Sequence, residues 1–427
     1  MAGQLPVLLC AVLKGILGLA TASLLLATSL VQPAESAPVA DEAALASGTS
    51  PDPTVHSSDG VRGPNLADLT DTAERRSRLR ALETDEVGWT VAPGLEYSRF
   101  TRSERQGPVQ VHLLTARLDE PGLVLDQVSG TSIRSRAPLT QWLQADKAVA
   151  GVNADFFDIA DTGAPLGVGA DRQRHLLHSP RSGWNNAFLI DSAGTARVMT
   201  DPFYGRVVPW GGGSKTITNF NSPAVAPNGI GLYTAAWGRT SGRSVVDGAR
   251  RVRQVVIRNG VVRSNSTTLP RGATITGSVL VGRGEGGGRL RDLRVGRRVR
   301  IEKALGTGAR MAVGGSVQLI RSRTVLTKDN GELHPRTAIG IDRDRRLLHL
   351  VVVDGRSESS SGQTLLQLAN LLRSLGDDAA INLDGGGSST MVAKDPVGLL
   401  GVRNSPSDGS QRKVPNGLGF RYTPPPG

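Results

Sequence analysis

The sequence predicts an α+β fold: a mixed, strand-rich sheet core with a few helices, in one large domain behind a disordered N-terminal linker. Three observations point there. Short apolar or alternating runs recur from Gly88 onward, bounded by turn residues, which is the pattern of strands. The 53 glycines and 24 prolines supply many turns, and 38 % hydrophobic residues are enough for a packed core. Near the C-terminus one clear helical repeat lies between two strands that each end in Asp-Gly.

Residues 7–31 are apolar apart from Lys14, and small residues follow at Ala34 to Ala37. This predicts a signal peptide over 1–36 and an exported protein, secreted or associated with the cell wall. An uncleaved signal is the one route to a membrane, since the span approaches transmembrane length. Cys10, the only cysteine, lies inside this segment, so the mature chain has neither disulfides nor a thiol nucleophile. Residues 37–85 lack periodicity and read as a linker, with a short charged helix over 71–85. The domain then runs over 86–424. Nothing in the sequence indicates an oligomeric state.

Charge is unevenly placed. From Arg239 to Lys303, 15 arginines and one lysine face four acids, an excess as large as the +12 of the whole chain. Such a face attracts polyanions. Aromatic residues make up only 4 %, too few to suggest base-stacking platforms, which argues against nucleic acid. Phosphate-bearing cell-wall polymers suit an exported protein better, and a solvated arginine-rich surface is the plain alternative.

In chain order, 110–116 and 123–126 read as strands split by Pro121-Gly122, and 137–145 as a short helix. A buried strand over 148–152 then delivers Asn153 and Asp155, which point to the same side of an extended backbone, followed by Asp158. The stretch 185–325 reads as many short strands. Within it, the polar-aromatic clusters 219–221 and 232–238 suit either sugar contact or packing, packing being the commoner use. Arg336–Ile341 and Leu347–Val353 form a hairpin ending in Asp354-Gly355-Arg356. Thr364 with Gln367 fits a capping box, Leu365, Leu368, Leu372 and Leu375 recur at helical spacing, and Gly376 ends the helix. The strand after it reaches Asp384, then Gly385-Gly386-Gly387 and Ser388-Ser389-Thr390. Glycines there let backbone approach a ligand, and successive N–H groups can cradle an anion. The plain alternative is a tight turn formed by Asp384. If the two strands are neighbours, Asp354 and Asp384 share one rim.

Five ordered stretches, Val152–Phe157, Arg336–Gly340, Asp354–Arg356, Leu383–Thr390 and Asn404–Gly409 with Arg412, resemble the phosphodiester glycosidase family. The likeness spans about Gly88 to Tyr422. It implies hydrolysis of a sugar-1-phosphodiester, such as one of N-acetylglucosamine, to sugar and phosphomonoester. Gln411 departs from the acidic residue common before the arginine. For that reaction Arg336 would grip phosphate as a fork, and Asp354 and Asp384 would act as base, nucleophile or charge stabiliser, in either assignment. Asn153, Asp155, Ser388, Thr390, Asp408 and Arg412 would bind substrate beside the Gly385–Gly387 turn. The sequence names no definite cofactor and leaves the metal requirement open, with calcium or magnesium on Asp155 and Asp158 as the candidate. His175 and His178 are too few for zinc. Two competing functions are a metal-dependent phosphodiesterase that breaks P–O and a non-catalytic module for anionic wall polymer.

Overall fold

The computed structural model describes residues 83–200 and 203–426. The expected signal peptide, nearly all of the linker and Cys10 lie outside the described residues. What is described is a strand-rich α+β domain with three α-helices. No helix among the described residues is long and apolar enough to cross a membrane.

The central sheet has eight strands, all paired antiparallel. The strands are β1 (Glu83–Ala92), β2 (Leu95–Glu104), β3 (Gly107–Arg117), β6 (Gln318–Arg321), β7 (Thr324–Val325), β8 (Arg336–Asp342), β9 (Leu347–Val353) and β10 (Ala379–Leu383). Their spatial order is β1-β2-β3-β9-β8-β10-β6-β7. A second sheet, again antiparallel, contains β4 (Leu123–Ser129), β5 (Ala150–Asn153), β11 (Met391–Lys394), β12 (Leu400–Val402) and β13 (Asn416–Tyr422), in the order β12-β11-β5-β13-β4. Helix α1 (Leu139–Ala145) packs on it through Leu139 and Leu143.

Burial on both faces explains the unbroken apolar run of β9. Leu348, Leu350 and Val352 meet Val152, Leu418 and Phe420 of the second sheet. Val351 and Val353 point the other way, into a layer made with helix α3 (Leu365–Leu375). Period-two alternation therefore serves two cores rather than one core and solvent. The capping box of α3 is present as expected: Thr364 accepts from the Gln367 N–H, and Gln367 accepts from the Thr364 N–H at 2.9 Å. Gly376 ends the helix at φ 106°, a conformation costly for any other residue. Each fully buried leucine of α3 contributes about 1.5–3 kcal/mol.

The arginine-rich middle forms smaller sheets and the short helix α2 (Glu285–Arg289). Its polar-aromatic clusters are packing groups. Phe220, Leu232, Tyr233 and Trp237 are buried, and Asn221 uses its side chain on the Leu177 carbonyl and the Thr234 N–H.

Candidate active site

Strand β8 runs antiparallel to both β9 and β10, so its head lies at their tails. Register sets the details: Arg336 opposes Val353, and Thr337 opposes Leu383. Asp354, Arg336 and Asp384 therefore share one rim. The two aspartates are not on neighbouring strands, however. Strand β8 stands between them, which separates their backbones by about 10 Å at ordinary strand spacing.

The carboxylate next to Asp384 is Asp155. Strand β5 brings it there: the Asp384 N–H donates to the Ala154 carbonyl at 2.8 Å, and Asn153 Nδ2 donates to the Asp384 carbonyl at 2.6 Å. Asp155 is buried, and both its oxygens accept from the Gly167 N–H at 3.2 and 3.1 Å. Gly167 and Gly314 lie so close that a Cβ on either would come within 2.8 Å of Asp155 Oδ1. Burial raises the Asp155 carboxyl well above the usual carboxylate range. The charge of Asp384 adds to this, while N–H donors from Gly167 and Phe156 oppose it.

Asn153 is a clamp. Besides its bond to Asp384, its Oδ1 accepts from Thr337 Oγ1 at 2.9 Å and from the Thr390 N–H at 3.0 Å. All of its side-chain polar atoms are thus engaged by protein, and it holds β5, β8 and the Asp384 loop together. The expected role in binding sugar hydroxyls is left with one N–H of Nδ2, on a side chain that is fully buried.

Arg336 is fully buried at the head of β8. Its Nε donates to the Gln363 carbonyl at 2.8 Å and its Nη2 to the Glu332 carbonyl at 2.9 Å. Main-chain carbonyls thus hold two of its three nitrogens, against the expectation of an open fork. Asp354 is likewise engaged on both oxygens. Oδ1 accepts from Asn404 Nδ2 and the Ser405 N–H, each at 3.0 Å, and Oδ2 lies 3.1 Å from His112 Nε2. His112 Nδ1 is 2.9 Å from the Tyr97 hydroxyl, whose pKa burial pushes up to about 12. This buried Tyr97–His112–Asp354 chain was not anticipated, although a histidine within an otherwise apolar stretch of β3 was a signal for it.

The loop after Asp384 uses much of its backbone on itself. The Gly386 N–H donates to the Pro335 carbonyl, and the Ser388 and Ser389 N–H groups return to Gly385 and Gly386. An anion nest of successive free N–H groups is not what the three glycines provide. Gly386 takes φ 59°, and Gly387 makes room for a neighbour. A Cβ at Gly387 would meet Arg412 Nη2 at 2.1 Å and Asp408 Oδ1 at 2.2 Å. These two side chains form an ion pair at 2.8 Å over the loop and are partly open to solvent. Gln411, the departure from the family pattern, binds the Thr140 N–H and hydroxyl at the start of α1.

Beneath this pair lies a polar cluster without internal satisfaction. The hydroxyls of Ser388, Ser389 and Thr390 and the Asn416 Nδ2 are buried and have no hydrogen-bond partner among the described residues. Asn416 Oδ1 accepts from the Asp155 N–H at 2.9 Å, which ties the cluster to the carboxylate pair. Buried hydroxyls and amides in folded proteins are nearly always paired with protein, water or ligand.

The donor set does not converge on a metal. Asp158 accepts from the Thr162 N–H and hydroxyl in a local turn, whereas Asp155 turns to Gly167. Among the described residues no group of three or more His, Cys, Asp or Glu side chains is placed to hold an ion. His175 is exposed, and His178 is buried against the Gly167 carbonyl at 2.9 Å, its pKa lowered by burial to about 4.

Comparison with known proteins bears on this rim. Residues 251–421 match the family model described as phosphodiester glycosidase. The matched stretch belongs to the phosphodiester glycosidase family. It contains Arg336, Asp354, Asp384, Asp408 and Arg412, while Asn153 and Asp155 lie before it. A relative in Bacillus subtilis (strain 168), the SPbeta prophage-derived uncharacterized protein YomE, is 33 % identical over 132 residues. That alignment takes in 30 % of this chain and only 20 % of the relative. Two solved structures share the fold over 84 % of this chain. A hypothetical protein from Synechocystis has a TM-score of 0.68 at 22 % identity, with 68 % of it covered. The "Putative exported protein" of Burkholderia pseudomallei K96243 has a TM-score of 0.63 at 17 % identity, with 97 % covered.

Proposed function

We propose that this protein is an exported hydrolase that cleaves the sugar C1–O bond of a glycosyl-1-phosphodiester, releasing the sugar and a phosphomonoester. The observation that carries the reading is the Asp155–Asp384 pair beside a buried, unsatisfied patch of Ser388, Ser389, Thr390 and Asn416. The family match at the same rim supports it.

Two adjacent carboxylates do not both ionise readily, and burial favours the proton on Asp155. Asp155 then donates that proton, and Asp384 faces the positive charge that develops on the anomeric carbon. Water oxygen bonds to C1 in the overall reaction, and the proton that water gives up restores Asp155. The C1–O bond breaks, and its electron pair leaves with the phosphate. A phosphate monoester is already a good leaving group, so one weak acid is sufficient. Arg412 is the reachable cation: a substrate phosphate replaces Asp408 as its partner above Gly387. Asp354 and Arg336 position this rim by holding residues 404–405 and the 332–363 backbone.

The apolar stretch 7–31 motivates export, which mass spectrometry of the secreted N-terminus checks. The reaction itself is tested with a panel of sugar-1-phosphodiesters in heavy-oxygen water. Label in the released sugar supports the proposal. Label in the phosphate means P–O cleavage and overturns it, as does no turnover on any member.

A further inference from the structure

We propose that a second surface, the open face of a three-stranded sheet in the arginine-rich middle, binds a phosphate-bearing glycan chain. The strands are Phe203–Pro209, Lys215–Ile217 and Val299–Leu305, with the first in the centre. This face shares no residue with the Asp155–Asp384 rim.

Strand periodicity places Tyr204, Arg206 and Val208 on one side. Register sets Ala304, Glu302 and Arg300 opposite them. The Trp210 N–H donates to the Arg298 carbonyl at 2.9 Å, so the ladder extends one step and brings Trp210 to that side beside Arg298. Trp210 is 83 % exposed and Tyr204 60 %. One exposed aromatic residue is unremarkable, but two on a single sheet face, with Val295 exposed in the adjoining turn, form an amphipathic platform. An aromatic ring offers an apolar surface, and a sugar ring has apolar C–H faces to lay on it. Tyr204 and Trp210 are six residues apart, about 20 Å along a strand. That spacing suits a chain of sugars better than a single one.

The charges around the aromatics are cationic. An open groove of about 450 Å³ lies between Trp210, Asn259, Arg298 and Arg300, and another of about 470 Å³ between Trp210, Arg297 and Arg298. An acidic side chain neutralises only part of this: Glu302 pairs with Arg206 and Arg300. Arg298, beside Trp210, forms no ion pair among the described residues. Guanidinium forks match phosphate oxygens two at a time. Arginines interleaved with exposed rings thus fit a polymer that alternates sugar and phosphate. A bare polyanion would leave Trp210 unused, and a neutral glycan would leave the arginines unused.

Binding is measured by titration calorimetry on the intact chain at physiological salt. The probes are poly(N-acetylglucosamine 1-phosphate), dextran, inorganic polyphosphate and a short DNA duplex. The sugar-phosphate polymer is expected to bind most tightly. Trp210→Ala and Arg298→Ala should each weaken it about tenfold or more without moving the melting temperature, since both side chains lie outside the core. Equal binding of polyphosphate or duplex DNA, or a Trp210→Ala variant that binds as the native protein does, would reduce the face to plain charge attraction and overturn the proposal. Because that polymer is also of the substrate class proposed for the Asp155–Asp384 rim, the Trp210→Ala and Arg298→Ala variants, which leave the rim intact, are what separate the two sites.

Discussion

Asn153 is where the structure departs most usefully from its expected role, and its replacement separates a clamp from a ligand. Asn153→Ala removes three buried hydrogen bonds at once: to the Asp384 carbonyl at 2.6 Å, the Thr337 hydroxyl at 2.9 Å and the Thr390 N–H at 3.0 Å. Each partner left unsatisfied in the core costs about 1–3 kcal/mol. The Thr337 hydroxyl can rotate to recover part of its share, so the expected loss is about 3–5 kcal/mol, in the range for broken buried networks. Urea unfolding at neutral pH measures it. Turnover on an activated sugar-1-phosphodiester is followed on the same samples. Asn153→Asp is the informative companion. It keeps the size and the acceptors but sets a carboxylate against the Asp384 carbonyl, so it too should be unstable. Loss of stability with a collapse in kcat is the clamp signature, because the Asp384 loop is no longer held. A variant destabilised by less than about 1 kcal/mol, with KM raised and kcat intact, would refute the reasoning and return Asn153 to substrate binding.

Asp155→Asn should reduce turnover by about 10²–10⁴, the usual weight of a general acid. It should also be at least as stable as the native protein at neutral pH. With the folded-state pKa of Asp155 raised, its favourable contribution is complete below the unfolded value of about 3.9 and is lost as pH rises through the folded value. Melting temperatures from pH 4 upward should therefore decline less in the variant; an unchanged profile would contradict the shift. Arg336→Lys is expected to lose about 2–4 kcal/mol in urea unfolding, since an ammonium cannot serve both the Gln363 and Glu332 carbonyls as the planar fork does. An unfolding midpoint equal to that of the native protein would show those bonds to be dispensable. Arg412→Ala should change stability by less than about 1 kcal/mol, because its pair with Asp408 is partly solvated, while KM for a phosphodiester rises about tenfold or more. An unaltered KM would remove Arg412 from phosphate recognition.

Local signals in the sequence determined the elements. The capping box at Thr364 and Gln367, the leucine spacing, Gly376 and the hairpin around Asp342–Arg345 depend on interactions within a few residues, and all are found where the residues place them. The strand-rich fold and the meeting of Asp354, Arg336 and Asp384 at one rim were also legible, because two strands joined by one helix and a hairpin constrain which ends come together. Pairing across the chain was decided by tertiary structure alone. Nothing local shows that β8 separates the two Asp-Gly strands, nor that β5, some 230 positions earlier, brings Asp155 to Asp384. Likewise, Arg336, Asn153 and Asp354 have side chains whose chemistry suits substrate binding, yet each is engaged by distant protein groups: Gln363, Thr390, and His112 with Asn404. A residue type states what bonds a side chain can make. Which of them remain for a ligand depends on the partners that folding brings within about 3 Å, and those partners come from other parts of the chain.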